Sequence, residues 1–484
     1  MRERLLTRIL PAAIGLIAMA VLAHWLLIAP AMPVVAQRVP GLDKFDPSKV
    51  IVTNVDMRGE LVQGDGRPAE LPGSWPRFRG PNRDGLVADT TPLKRALDPA
   101  TTKKLWEVKL GEGYAGPVIH NGMVHLLDYD EHASADTLRC WSLADGKEIW
   151  RRAYHVKVKR YHGMSRTTPA VTDKYVVTLG PKCHVVCADA RSGEYLWGID
   201  LVKEYKTAVP PWYAGQCPLI DNDLAIIAPG GESLVIAVDC ATGQVKWKTP
   251  NPRQWEMTHT SLVKMSFAGK SFYIYHGSAG VAGIDAADGQ ILWMTDAAKT
   301  LAPDGKISPD CTYWQVTTAT VGTPVICGED RIFIVGAYDA GSMMLQLTQV
   351  DGKIVPKCLW RVPASVFESD QQTPVYYKGY IYGVPRSEQL VCLDMNGKPA
   401  WQSTARNRFG RCPFLIADGM IIVLNDDGVL TLAEASPKAY KVITSVQVFH
   451  EPHEPWGIMA MAQGRLLVRD LTRLVCLDLR KEAP

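Results

Sequence analysis

Apolar residues recur along this chain in runs of about five, divided by short polar turns. The stretch VVCADARSGEYLW, Val185 to Trp197, shows the unit: the end of one strand, a turn on Arg191-Ser192-Gly193, and a second strand closing on tryptophan. Close copies are SLADGKEIW ending at Trp150, VDCATGQVKW at Trp247, IDAADGQILW at Trp293 and LDMNGKPAW at Trp401. VDGKIVPKCLW, ending at Trp360, is looser, and LAEASPKAYKV lacks the tryptophan. From Trp106 to Trp401 successive tryptophans lie 44, 47, 50, 46, 67 and 41 residues apart. A period in the forties predicts propeller blades of four short strands.

Each unit also opens alike. AGPVI at 115, TTPAV at 167, QCPLI at 216, GTPVI at 322, QTPVY at 372 and RCPFL at 411 are joined by the weaker HTSLV at 259 and WGIMA at 456, which makes eight inner strands. The last unit offers three strands, around Ile458, Leu466 and Val475, and LWEVKL at 105–110 supplies the fourth. A ring shut this way leaves no free sheet edge. The expectation is an all-β, eight-bladed β-propeller of four-stranded antiparallel blades over residues 105–484, preceded by an N-terminal membrane or signal segment (1–36), a linker (37–74) and an approach segment (75–104). Asp and Gly hold the turn before each closing strand. Trp106, Trp150, Trp197, Trp247, Trp293, Trp360 and Trp401 wedge between blades, each burying ~150–250 Å2. Half of the fourteen tryptophans are therefore structural and say nothing about a ligand.

These motifs resemble the PQQ-like (pyrroloquinoline quinone) propeller repeat, Ala-x-Asp-x-x-Thr-Gly-x-x-x-x-Trp with small variations, best matched at Trp197, Trp247 and Trp293. SWPRFRGPNRDGL, Ser74 to Leu86, resembles the approach to the first blade in exported members. The superfamily holds both quinoprotein dehydrogenases and the non-enzymatic outer-membrane assembly factor BamB, so fold alone does not decide function. The dehydrogenase branch implies a calcium site of carboxylates and an amide, a catalytic aspartate, an aromatic floor and often a disulfide between adjacent cysteines. No Cys-Cys pair exists here, and Cys183 and Cys187 in CHVVC lie ~13 Å apart along one strand. No Cys-x-x-Cys-His haem site occurs either.

Composition adds limits. The 484 residues are 47% hydrophobic and 21% charged, an ordinary globular mixture, and a net charge of +3 without a basic stripe excludes nucleic acid as the expected partner. Arg2, Arg4 and Arg8 precede an apolar run over residues 9–28, about one bilayer span, which places the body after Ala36 outside the cytoplasm, on the periplasmic side. The segment reads as a retained inner-membrane anchor, with cleavage at Ala29-Pro30-Ala31 or Val34-Val35-Ala36 as the alternative. Eleven cysteines, an odd number, read mainly as buried inert thiols, with Cys140, Cys187, Cys392 and Cys476 at matching strand positions.

No Gly-x-Ser-x-Gly elbow, His-Glu-x-x-His helix or phosphate-cradling loop is present. HEPHEPW offers His450, Glu451 and His453 as weak zinc candidates, with a solvated loop preferred. Residues before each inner strand should ring the mouth of the central channel: Tyr114, Arg166, Gln216, His259, Gln372, Arg411 and Trp456. Longer loops add Trp212, Tyr213, Trp255 and Trp314 to that binding face. The reading favoured is a monomeric, membrane-anchored scaffold for envelope proteins, without cofactor or catalysis. The alternative is an oxidoreductase using PQQ and calcium, and a third reading is polysaccharide recognition by Trp212, Trp255 and Trp314.

Overall fold

The computed structural model describes residues 10–28, 54–99, 102–161, 163–295, 320–411 and 413–481. The chain divides into two units, residues 1–53 and 54–484. In the first, Leu10–Ile28 is a 19-residue helix with no acidic side chain in its first turn and no basic one in its last. Among the described residues no helix is long and apolar enough to cross a membrane, so a span over residues 9–28 stays a proposal.

In the second unit the described strands form eight antiparallel sheets, the blades of a β-propeller. Blade 2 is typical, running from the axis outward as Ala170–Val171, Tyr175–Leu179, His184–Asp189 and Tyr195–Asp200. Middle strands lie between neighbouring blades and are apolar on both faces, as in Met420–Leu424, where all five side chains are buried. Outer strands such as Val245–Pro250 alternate between partial burial and exposure. Blade 8 contributes Ala460–Ala462, Arg465–Arg469 and Arg473–Asp478, and its outermost strand is Lys103–Lys109, with Trp106 opposite Cys476. The ring is shut by the N-terminal strand, which begins two residues before LWEVKL.

The repeated motif has a direct physical basis. The Asp189 carboxylate accepts hydrogen bonds from the backbone N–H groups of Arg191 (2.9 Å) and Ser192 (2.7 Å) and from the Ser192 hydroxyl (2.9 Å). Asp239 does the same with Ala241 and Thr242. These turns deliver Gly193 and Gly243 at φ 75° and 74°, a conformation that favours glycine. The tryptophan of the preceding blade lies on that glycine: a Cβ would come within 2.6 Å of the Trp150 ring at Gly193 and 2.7 Å of Trp197 at Gly243. Trp197 then donates its indole N–H to Cys240 O (2.8 Å). The same bond ties Trp106 to Leu143, Trp360 to Met395 and Trp401 to Ser436. Trp247 lies over Gly289. Trp293 differs, because the neighbouring hairpin Ser342–Val350/Lys353–Val362 is long and its turn glycine, Gly352, has no atom within 4 Å of a Cβ. It packs edge-on against Phe272 instead.

Two segments ahead of the closing strand are built into the disc. Glu60–Gln63, within the stretch read as linker, is a fifth strand on blade 1, pairing with Glu148–His155. Residues 75–87 cross the channel rather than pass beside it. Trp75 exchanges backbone bonds with Ile119 of blade 1 (2.7 and 2.9 Å), and Pro76 O accepts from Val171 of blade 2 (2.8 Å). Arg77 donates to Ile220 O at blade 3 (3.0 Å) and Arg83 to Leu262 O at blade 4 (2.5 Å). Arg79 reaches Pro374 O at blade 6 (2.6 Å), and Gly85 O accepts from Ile416 of blade 7 (3.0 Å). Arg79 and Arg83 are 5% and 3% exposed, yet burial lowers their pKa values only to about 10 and about 9, so both stay charged at neutral pH. Backbone carbonyls replace their water, including those of Cys217 and Pro218 for Arg83.

Candidate functional site

Because this plug fills one end of the channel, the other end is a blind well of about 220 Å3. Phe78 of the plug lines it from within. Around it stand Tyr114, Arg166, Trp212, His259, Gln372, Arg411 and Trp456, seven of the residues singled out by their position before an inner strand or on a long loop. That position explains the convergence: inner strands surround the axis, so the residues leading into them, Gln216 excepted, face the channel mouth.

The walls are two stacked aromatic pairs. Tyr114 and Trp456, from the loops into blades 1 and 8, have ring centroids 5.5 Å apart at 25°. Trp212 and Tyr338 lie 5.9 Å apart at 27°, and Trp212 also meets the His259 ring at 6.2 Å. Trp456 is aimed by its indole N–H to Asp426 Oδ1 (2.8 Å), and the Gln372 amide donates to the carbonyls of Arg411 (3.1 Å) and Trp456 (3.2 Å). Trp212, Tyr213, Tyr338 and Asp339 all have positive φ (60°, 74°, 55° and 72°). Two adjacent non-glycine residues in the left-handed region on each of two loops is a strained arrangement, and it holds the second aromatic pair over the well.

The charges are arranged on these rings. Arg166 sits 5.1 Å from the centroid of Tyr114 and gives Nε to Trp212 O and Nη2 to Tyr161 O (3.2 Å) and Gly163 O (3.1 Å). Arg411 lies 5.7 Å from the Trp456 ring, with Nη2 3.8 Å from Asp370 Oδ2. Tyr114 donates its hydroxyl to Glu454, and burial, followed by that bond, raises its pKa. His259 is held down to about 4, first by burial and then by Arg166, so it is neutral at pH 7; its Nε2 is buried without a partner.

Other candidates fall elsewhere. Gln216 is fully buried, its amide accepting from Ala228 N (2.8 Å) and donating to Ala228 O (3.1 Å). Trp255 is 1% exposed against Gly277 and Gly280, which removes it from any aromatic platform for polysaccharide. Tyr213 stands on the shoulder of the well, bonded to Lys159 O (2.5 Å) with Lys182 over its ring. Trp314 lies outside the described residues. His450, Glu451 and His453 are exposed, and among the described residues no three His, Cys, Asp or Glu side chains gather as metal ligands. Sequence reasoning missed Phe78, Tyr338 and Asp370. Tyr338 sits in the turn between the second and third strands of blade 5, a turn that opens on the same face as the loops before the inner strands.

Calcium takes six to eight oxygen ligands, typically with several carboxylates. The well offers one carboxylate, Asp370, facing Arg411, and its volume falls below the ~300–1,000 Å3 of ordinary cofactor sites. Its residues do not fit a calcium-bound quinone. The nine described cysteines are all buried, and burial raises Cys183 and Cys327 to about 12.

Among known proteins, the family model described as outer membrane protein assembly factor BamB matches residues 134–351 and 351–438, more than half of the chain. No curated protein sequence matches significantly. Among solved structures, BamB from Moraxella catarrhalis superposes with a TM-score of 0.52 at 12% identity, covering 78% of this chain and all of that one. A quinohemoprotein alcohol dehydrogenase from Comamonas testosteroni gives 0.45 at 11% identity, over 87% and 83% of the two chains. At such identities these likenesses speak to the fold alone.

Proposed function

The chain belongs to the PQQ-like β-propeller family represented by the BamB assembly factor, and on that premise we propose that it is a non-enzymatic scaffold on the extracytoplasmic side of the inner membrane, binding envelope proteins by the face that carries the well. Residues 9–28 serve as its anchor, with Arg2, Arg4 and Arg8 held in the cytoplasm. The observation that carries the reading is the plug: the protein fills one end of its central channel with its own residues 75–87. What stays open is too poor in acids and bases for general acid–base chemistry. His259 is neutral with no carboxylate bonded to it, and Asp370 faces an arginine. The rim supplies what protein interfaces favour, Trp, Tyr and Arg on loops held by a rigid disc.

Two measurements test this. Calorimetric titration of the exported body with PQQ, with and without calcium, should show no binding, and dye-linked alcohol oxidation no turnover; calcium-dependent binding with turnover would overturn the scaffold reading. A photo-crosslinker at Tyr161, 53% exposed beside the well, should capture discrete envelope proteins in intact cells. A crosslinker on the opposite face, at Asp145, should not.

A further inference from the structure

The well has a chemical bias that the scaffold reading leaves unused. Its aromatic walls invite two kinds of guest, a cation lodged against ring faces or a flat apolar body with a negative end. The ring faces decide between them. Tyr114 already carries Arg166 and Trp456 already carries Arg411, so a guest cation would meet two guanidinium groups where it needs electron-rich faces. Charge points the same way. Among the described residues Arg166 makes no ion pair, and of the lining side chains Arg166 and Arg411 are the two cations and Asp370 the one carboxylate, Glu454 and Asp426 standing behind the Tyr114 and Trp456 rings that they hold.

The donors are also available. Arg166 spends Nε and Nη2 on carbonyls and, among the described residues, makes no hydrogen bond through Nη1. Among the described residues Arg411 gives no guanidinium N–H to an acceptor within hydrogen-bond distance; its contact with Asp370 is 3.8 Å. An arginine held by its neighbours with donors to spare is a preorganised anion site, because little side-chain freedom is lost on binding. The neutral His259, with Nε2 unpartnered, adds a polar group without a competing charge.

We propose that the well binds a monocarboxylate with a flat or compact apolar body, its carboxylate on Arg166 and Arg411 and its body between the Trp212/Tyr338 and Tyr114/Trp456 pairs. A cavity of about 220 Å3 has room for a group of benzoate or phenylacetate size. Two sources present this chemistry: a free small acid, or the terminal carboxylate and last side chain of a partner protein, a known mode of peptide capture. The proposal rests on the well face being the binding face, but its test does not require the partner to be known.

The test is quenching of tryptophan fluorescence in the exported body by phenylacetate and by its neutral twin phenylacetamide, beside acetyl-triglycyl-leucine with a free and an amidated end. An acid should bind at least about tenfold more tightly than its amide. Arg411→Gln, at a half-exposed side chain, should abolish that preference while leaving the circular dichroism and melting temperature unchanged. Arg166→Gln should abolish it too, though it also frees the Trp212 loop. Whether the free acid or the peptide binds more tightly assigns the source. Equal affinity for acid and amide, no binding of either acid up to about 10 mM, or a preference untouched by Arg411→Gln would overturn the proposal, and none of these outcomes bears on whether the rim crosslinks to envelope proteins.

Discussion

Asp136 sits between blades 1 and 2 with 0% exposure. It accepts one hydrogen bond, from the Tyr154 hydroxyl to Oδ2 (2.6 Å), while Oδ1 has no partner. Burial, opposed by that single bond, pushes its pKa up from 3.8 to about 7. The folded state therefore holds a proton that the unfolded chain has released above pH 4, and stability falls as pH rises between the two values. Over the full window the cost approaches about 4 kcal/mol, of which about 3 kcal/mol accrues between pH 5 and 8. Asp136→Asn keeps an oxygen for Tyr154 and removes the ionisation. Urea unfolding of both proteins at pH 5 and pH 8 isolates the effect, because buried histidines such as His125, held down to about 4, titrate in both and cancel in the difference. The asparagine variant should gain on the parent by about 3 kcal/mol from pH 5 to 8. A difference that stays constant with pH, or shrinks as pH rises, would refute the claim that this carboxyl is buried with its proton.

Further expectations concern the plug, the repeat and the thiols. Arg83→Met should destabilise the propeller by about 3 kcal/mol, since three carbonyls lose their donor; denaturant titration showing less than about 1 kcal/mol would mean that the plug is not bolted to blades 3 and 4. Gly243→Ala and Gly352→Ala both place Ala at positive φ (74° and 73°), but only the first drives a Cβ into a tryptophan ring. Gly352→Ala should cost about 1 kcal/mol and Gly243→Ala at least about 2 kcal/mol, and equal losses in melting curves would count against the docking role of Trp197. In the native protein, peptide mass spectrometry after iodoacetamide should find Cys140, Cys187, Cys392 and Cys476 unmodified, because each is buried with its pKa raised; prompt labelling at any of them would mean that its blade opens.

The eight blades are legible because each repeats a local solution: an Asp that closes a turn, a Gly that tolerates it and a Trp at fixed distance. Channel-mouth residues are legible for a related reason, since six of the seven side chains placed before an inner strand face the axis, and only Gln216 turns into its own blade to pair with Ala228. The plug carries no comparable sign. Arg79 and Arg83 look like solvent residues, and their acceptors at Pro374 and Leu262 lie far along the chain, where no spacing rule connects them. Trp255 errs the other way, an aromatic on an apparent loop that packs onto Gly277 because glycine leaves room for it. Tyr338 escaped because it lies in a hairpin turn rather than before an inner strand, and only its left-handed backbone distinguishes it.

The pairing of Lys103 with Asp478 also sets the order in which the molecule can be completed. The ribosome delivers the chain from its N-terminus, so the strand that finishes blade 8 emerges first and waits for a partner that emerges last. Bringing those ends together across so long a loop costs ~5 kcal/mol of chain entropy. Until then Lys103–Lys109 offers an unpaired edge to any neighbouring chain. The plug shortens the gap: residues 75–87 dock on blades 1 to 4, 6 and 7 as each appears, holding the waiting strand beside the place where blade 8 will form. A tether of this kind would make ring closure a local step at the end of synthesis instead of a search across the whole protein.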